Sequence, residues 1–207
     1  MRVHTQASQK ELTPDLALEI LKEGNERFVQ NLKAHRDLLE QVNATAKGQF
    51  PFATILSCID SRTSAELIFD QGLGDIFSIR IAGNILNEDI LESMEFATKA
   101  VGSKIIVVLG HTNCGAIMGA CDDVQFGHLT GLLQKIRTAV DQEKETQSDR
   151  HSKNKKFVEN VAELNVKNTM KQILERSSII KDLCTHGELK IVGGLYNVAT
   201  GKVDFLP

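Results

Sequence analysis

The stretch ATILSCIDSRT, residues 53–63, decides how the rest of the chain is read. It begins as a buried strand, because Ala53, Thr54, Ile55 and Leu56 are apolar or β-branched. Its character then changes. Cys58, Asp60 and Arg62 alternate, with Ser57 and Ser61 beside them. A reactive thiol, a carboxylate and a guanidinium run off the end of a core strand, and the flanking sequence must say why.

Three short apolar runs stand in series: FATILSC (52–58), IFSIRIAG (76–83) and KIIVVLG (104–110). The first and third are nearly continuous in apolar residues, which suits strands covered on both faces. Helical patterns separate them, TSAELIFD (63–70) and NEDILESMEFATKAV (87–101). Strand, helix, strand, helix, strand is the pattern of a parallel α/β sheet. Before it, LTPDLALEILKEGNERFVQNL (12–32) reads as an amphipathic helix with Thr13 as N-cap and Pro14 in the first turn. A polar stretch then runs to Gln49. After it, HLTGLLQKIRTAV (128–140) predicts a helix, and residues 141–156 an exposed connection. Residues 155–187 predict one long helix or two, stopping at Gly187, with Cys184 at a core position. The end, LKIVGGLYNVATGKVDFL (189–206), reads as a strand hairpin. The fold class is therefore α/β: a central, mainly parallel β-sheet flanked by helices, with an N-terminal helical arm and a C-terminal strand hairpin. One domain over 1–207 is expected, with the arm at 1–48 and the core at 49–207.

A formal charge of −3 and the absence of Trp argue against a nucleic-acid partner. The short basic run Lys153-Asn154-Lys155-Lys156 reads as a solvated face. No stretch reaches the roughly 18 apolar residues of a membrane span, and the first residues lack the apolar core of an export signal. The expected location is cytoplasmic, or periplasmic if an upstream signal was removed. Cys58, Cys114, Cys121 and Cys184 read as reduced thiols or metal ligands rather than disulfides.

The third strand also ends in chemistry, VVLGHTNCGAI, with His111 and Cys114. Functional groups collect at the carboxyl ends of strands in open α/β sheets, so Cys58 and His111 should emerge on one edge. If the chain turns into a helix after His111, the three-residue spacing puts His111 and Cys114 on one face. Two thiolates and one imidazole are a zinc set, and three protein ligands leave the open position of a catalytic ion. Cys121 is a possible fourth ligand, but a continuing helix carries it about 10 Å away, so it reads as structural. In an extended segment Cys58, Asp60 and Arg62 point to one side. Arg62 can hold Asp60 in a two-toothed pair and keep it ionised. An ionised carboxylate only accepts hydrogen bonds, so beside a metal-activated water Asp60 takes that water's hydrogen and turns its lone pair to an electrophile.

At these residues the chain resembles the β-class carbonic anhydrases. SCIDSR (57–62) and GHTNCG (110–115), with FDQGLGDIFSIRIAGN (69–84) between, carry the resemblance, which runs from about Leu12 to Leu206. It implies one Zn²⁺ per chain on Cys58, His111 and Cys114, and reversible hydration of carbon dioxide to bicarbonate and a proton. It implies the pairing of Asp60 with Arg62. For substrate it implies Gln49 in KGQFPF, Phe77 in an apolar wall, Phe96 where plant-like members have Tyr, and the backbone N–H of Gly115. A homodimer or homotetramer is implied, with the N-terminal helix around the neighbour and Gln49 serving the partner's zinc; from the residues alone that helix could equally pack on its own domain. A subgroup with a regulatory bicarbonate pocket has Trp where this chain has Ile55, so that pocket is not expected. Nor is the closed state of that subgroup, in which the Asp leaves Arg for the metal; Asp60 should stay on Arg62.

The same residues bear on four other readings. A cysteine phosphatase needs five residues between Cys and Arg, and Cys58 to Arg62 has three. A redox pair of Cys58 with Cys114 would form a disulfide. A non-catalytic zinc-binding module would close the site with a fourth ligand. Relatives on the same fold hydrolyse carbon disulfide or carbonyl sulfide with the same ligands, and motifs do not separate them.

Overall fold

In the computed structural model, residues 3–206 are described; residues 1, 2 and 207, the ends of the expected domain, lie outside them. The sheet has the order β2-β1-β3-β4-β5, from β1 (Ala53–Ser57), β2 (Ile76–Arg80), β3 (Ile105–His111), β4 (Lys190–Tyr196) and β5 (Val203–Leu206). The first four are mutually parallel, and β5 pairs antiparallel with β4 as the hairpin reading expects. Strands β1 and β3 are buried along their whole length, which is why their sequences are apolar runs rather than alternations.

Both faces of the sheet are covered by helices. Ile55 and Val107 meet Ala17 and Leu21 of α2 (Pro14–Val29) and Ala65 and Ile68 of α4 (Ala65–Ile68). Leu56, Ile106 and Val108 face the other way, onto Leu91 and Met94 of α5 (Glu88–Glu95), Val166 and Ile173 of α8 (Lys155–Arg176), and Ile180 of α9 (Ser178–Thr185). Helix α2 starts as its sequence predicts: the Thr13 hydroxyl accepts the Leu16 N–H and Pro14 opens the first turn. Ala17 and Leu21 of its apolar stripe pack on the sheet of its own chain, while Leu16 and Val29 stay exposed. It comes so close to α4 that a Cβ on Gly24 would lie 1.8 Å from the Phe69 carbonyl oxygen. Asp70, just beyond α4, fixes the arm: its carboxylate accepts from Arg27 at 2.6 Å, Arg36 at 2.5 Å and the Ala34 N–H at 3.1 Å.

Several expectations differ from the structure. The polar arm holds two short helices, α1 (Gln6–Glu11) and α3 (Leu38–Thr45), started by the side chains of Thr5 and Asp37 rather than marked by an apolar stripe. The helix expected over 63–70 is one turn, α4. The run 87–101 is α5 followed by a π-helical turn, Phe96–Ala100. The run 155–187 breaks at Ser177, whose hydroxyl accepts the Ile180 N–H and donates to Glu95. The connection after α7 (Gly127–Gln142) is not simply exposed, because Glu143 is buried in it. That carboxylate takes Arg150 at 2.5 Å, the Thr146 N–H and hydroxyl, and the Asn160 amide. Cys184 is half-buried at the rim of a core cluster, on the last turn of α9, rather than inside the core. No helix of the described residues is long and apolar enough to cross a membrane.

Candidate metal centre

Parallel pairing of β1 with β3 brings Ser57 beside Leu109, so the next residues of both strands emerge at the same edge. Cys58 follows β1 directly, and His111 is the last residue of β3. The chain then turns through Asn113, in the left-handed region at φ 55°, a conformation Asn tolerates. Cys114 is the N-cap of α6 (Gly115–Cys121), and its sulfur meets that of Cys58 rather than making the usual capping bond. His111 and Cys114 therefore meet across a strand–turn–cap junction and not on one helix face, which corrects the spacing argument without moving either residue.

The ligand atoms of Cys58, His111 and Cys114 lie within 4.8 Å of one another, and all three residues are buried. The two sulfurs are 4.0 Å apart, far beyond a disulfide bond of about 2.05 Å. Two sulfurs each about 2.3 Å from a tetrahedral zinc stand about 3.8 Å apart, so the spacing suits a shared cation. The imidazole is pre-oriented. Nδ1 sits 2.9 Å from the Thr112 carbonyl, which only accepts, so Nδ1 carries the hydrogen. Nε2 keeps its lone pair, and it is buried with no partner. A buried acceptor left unpaired costs free energy; one aimed between two sulfurs is what a cation would satisfy. Cys121 is outside the cluster, buried in the core, where desolvation lifts its thiol to about 11.

The sulfurs are unequal. Cys58 is held far below the usual thiol range, first by the hydrogen bond with Cys114, against burial, and then by His111 and the N–H groups of Gly83 and Asp60. Cys114 is pushed up by its contact with Cys58 and by burial. Gly83 donates its N–H to the Cys58 sulfur at 3.3 Å. It stands at φ 67°, where a Cβ would lie 2.7 Å from Ile136, so only Gly fits this close approach. Asn165 of α8 holds the Gly83 carbonyl at 2.9 Å.

Asp60 is paired with Arg62. One carboxylate oxygen accepts the Arg62 backbone N–H and Nε, both at 2.9 Å, and the other accepts Nη2 at 2.7 Å. The Arg62 side chain, against the cost of burial, holds the carboxyl below the usual carboxylate range. Around this pair the Thr63 hydroxyl reaches the carbonyls of Cys58 and Asp60 at 3.0 and 2.9 Å. Arg80, the last residue of β2, donates to the same two carbonyls, from Nε at 3.0 Å and Nη2 at 2.6 Å. Thr63, Arg80, Gly83 and Asn165 were not singled out by sequence reasoning. Thr63 and Arg80 sit within the quoted motifs, but their work depends on strand register.

The expected substrate residues divide. Gly115 opens α6, exposed and beside Cys114, with open space where a Cβ would stand. Gln49, Phe77 and Phe96 are not gathered at the cluster in a single chain. Gln49 is exposed on the amino side of β1, and β1, at about 3.3 Å per residue, separates it from Cys58. Phe77 stands opposite Thr54, three residues short of the strand end. Phe96 begins the π-helical turn, 58% exposed, with its ring 6.4 Å from that of Phe77. Ile55 is fully buried in the core.

Comparison with known proteins places the chain in a family. The family described as carbonic anhydrase matches residues 53–203. Carbonic anhydrase 2 of Mycobacterium tuberculosis is 36% identical over 190 residues, 91% of each chain. The carbonic anhydrase of Mycolicibacterium smegmatis is 32% identical over 197 residues, 92% of each. Among solved structures, the β-carbonic anhydrase CafA of Aspergillus fumigatus superposes with a TM-score of 0.73 at 28% identity, covering 93% of this chain and 89% of its own. Family match, relatives and fold concur, and the chain belongs to the β-class carbonic anhydrases.

Proposed function

We propose that the chain catalyses the zinc-dependent, reversible hydration of carbon dioxide to bicarbonate and a proton. The observation that carries this reading is the orphaned Nε2 of His111 facing two sulfurs 4.0 Å apart, with a carboxylate–guanidinium pair two residues beyond Cys58. Cys58, His111 and Cys114 would hold one Zn²⁺. When bound there, zinc supplies an acidified water, lowered from 15.7 toward about 7 in a three-histidine site and less far with two thiolates.

The remaining work falls to side chains. Carbon dioxide is small, apolar and uncharged, so little binding energy is available and orientation matters most. Asp60, kept ionised by Arg62, only accepts; it takes the hydrogen of the attacking water and fixes where the lone pair points. Arg62 keeps Asp60 turned away from the ligand cluster. The Gly115 N–H is offered to the product anion. Gln49, Phe77 and Phe96 are proposed to serve the cluster of a partner subunit in a homodimer or homotetramer. The exposure of Gln49 and Phe96, the ring contact of Phe96 with half-buried Phe77, and the distance of all three from their own chain's ligands support this. The apolar surface that α3 leaves open, Leu38, Leu39 and Val42, together with Leu16 and Val29 of α2, suits an arm that reaches a neighbour. Residues 1–48 and 49–207 then act as one catalytic unit. The reduced thiols the site needs suit a cytoplasmic location.

Stopped-flow hydration of carbon dioxide together with a zinc determination tests the proposal. Stoichiometric zinc and fast hydration are expected. Zinc without hydration, or preferential hydrolysis of carbon disulfide or carbonyl sulfide, overturns it. Cys58→Ser should lose the metal, and stoichiometric zinc retained in that variant contradicts the ligand assignment.

A further inference from the structure

Resting on that reading, we propose that Arg80 is a positioning residue for Asp60, fixing from the neighbouring strand the loop that joins the first metal ligand to the dyad. The loop 58–63 leaves the sheet, so its carbonyls have no ladder partners. Two of them, those of Cys58 and Asp60, flank the single residue Ile59 that separates ligand from carboxylate. Arg80 takes both with one planar group, Nε on Cys58 and Nη2 on Asp60. A guanidinium has a rigid fork, so the separation and tilt of the two peptide planes are set by its geometry. Thr63 closes the same two carbonyls from inside the loop, buried, with its N–H also on the Asp60 carbonyl at 3.0 Å.

The placement of Arg80 is a consequence of register. Ser57, the last residue of β1, pairs with Arg80, the last of β2. A guanidinium at that point reaches around the end of β1 to the carbonyls just beyond it. The Arg62–Asp60 pair sets where the carboxylate points relative to the Asp60 backbone; Arg80 sets where that backbone stands relative to the Cys58 sulfur. Each is needed to aim the acceptor, and only the first lies within the CIDSR motif. The hydrogen bonds of Arg80 end on the two carbonyls and the Thr63 hydroxyl, not on a ligand sulfur or ring nitrogen, so it acts through Asp60.

Arg80→Met, Arg80→Lys and Thr63→Val in the zinc-loaded full-length protein test this. Arg80→Met should keep stoichiometric zinc and lower kcat ten- to a hundredfold with KM unchanged, the size of effect seen when groups supporting a metal site are removed. Arg80→Lys, able to reach one carbonyl but not both, should recover part of that loss. Amide hydrogen exchange of Arg62 and Thr63, whose N–H groups end on Asp60, should speed up at least tenfold in Arg80→Met. That readout is independent of turnover. A kcat within twofold of the parent and unchanged exchange at residues 62 and 63 would overturn the proposal. A lower melting temperature with kcat per bound zinc unchanged would also overturn it, since that is what a merely structural arginine does. Should Arg80→Met fail to fold, Thr63→Val tests the same two carbonyls: lost turnover with faster exchange supports the assignment, and neither opposes it. If the zinc-loaded parent does not hydrate carbon dioxide, the function proposed above fails, and the exchange measurement alone decides what Arg80 holds.

Discussion

Asp60 spends three hydrogen bonds on Arg62 and is left with a carboxylate that accepts and cannot donate. Asp60→Asn keeps size but adds a donor, so zinc content and melting temperature should stay near the parent's while turnover falls at least a hundredfold, the scale of a lost proton acceptor. Near-parental hydration by the purified variant would remove the dyad from the mechanism. The lowered pKa has a sign. The folded carboxyl titrates below its unfolded value of 3.8, so the pair's contribution to stability is complete above about pH 4 and fades only as pH falls below that. Any fall in activity measured near pH 5 would therefore have to come from a group other than Asp60. At this scale the gathering of Cys58, His111 and Cys114 and the pairing of Asp60 with Arg62 were legible, because reactive side chains beside Gly and Ser at strand ends have few other uses. Thr63, Arg80, Gly83 and Asn165 were not. Asn165 meets Gly83 from 82 positions away, and no local pattern announces a partner at that distance. Gln49, Phe77 and Phe96 were named only through the resemblance, and their single-chain positions follow from β1 and β2 running away from them.

Strands and long helices were legible where burial writes itself into composition. Strands β1 and β3 are apolar runs because both faces are covered, and α2 is framed by Thr13 and Pro14. Helices α1 and α3 were missed because little of either is buried: each has one buried residue, Gln9 and Gln41, and both are polar. The break between α8 and α9 was left open because Ser177 is unremarkable until Glu95 comes from another element to take its hydroxyl. The seam between α2 and α4 yields a direct test. Gly24→Ala places a methyl 1.8 Å from the Phe69 carbonyl oxygen, backbone that cannot swing aside. Although Ala favours helix over Gly by up to about 1 kcal/mol, the collision should dominate and lower stability by about 3 kcal/mol. A urea midpoint equal to or above the parent's would show that α2 can slide off α4 without cost.

Gln49 and the ligand cluster lie at opposite ends of β1, so a complete site on the proposed scheme needs two chains. Analytical ultracentrifugation should find a dimer or larger, and specific hydration activity should fall on dilution below the dissociation concentration. A fully active monomer would return Gln49, Phe77 and Phe96 to ordinary surface. The separation of Cys58 from Cys114 has its own consequence, since they are 56 positions apart. A cation gripped by both clasps everything between them, including β2, α5 and all of β3, into a hoop. A covalent closure of that span is worth about 4 kcal/mol through the entropy it denies the unfolded chain. Stripping the metal with a chelator should thus unbuckle the molecule as a whole as well as silence one site, and the melting temperature should climb with free zinc. Equal melting of stripped and loaded protein would mean that the hoop closes without its buckle.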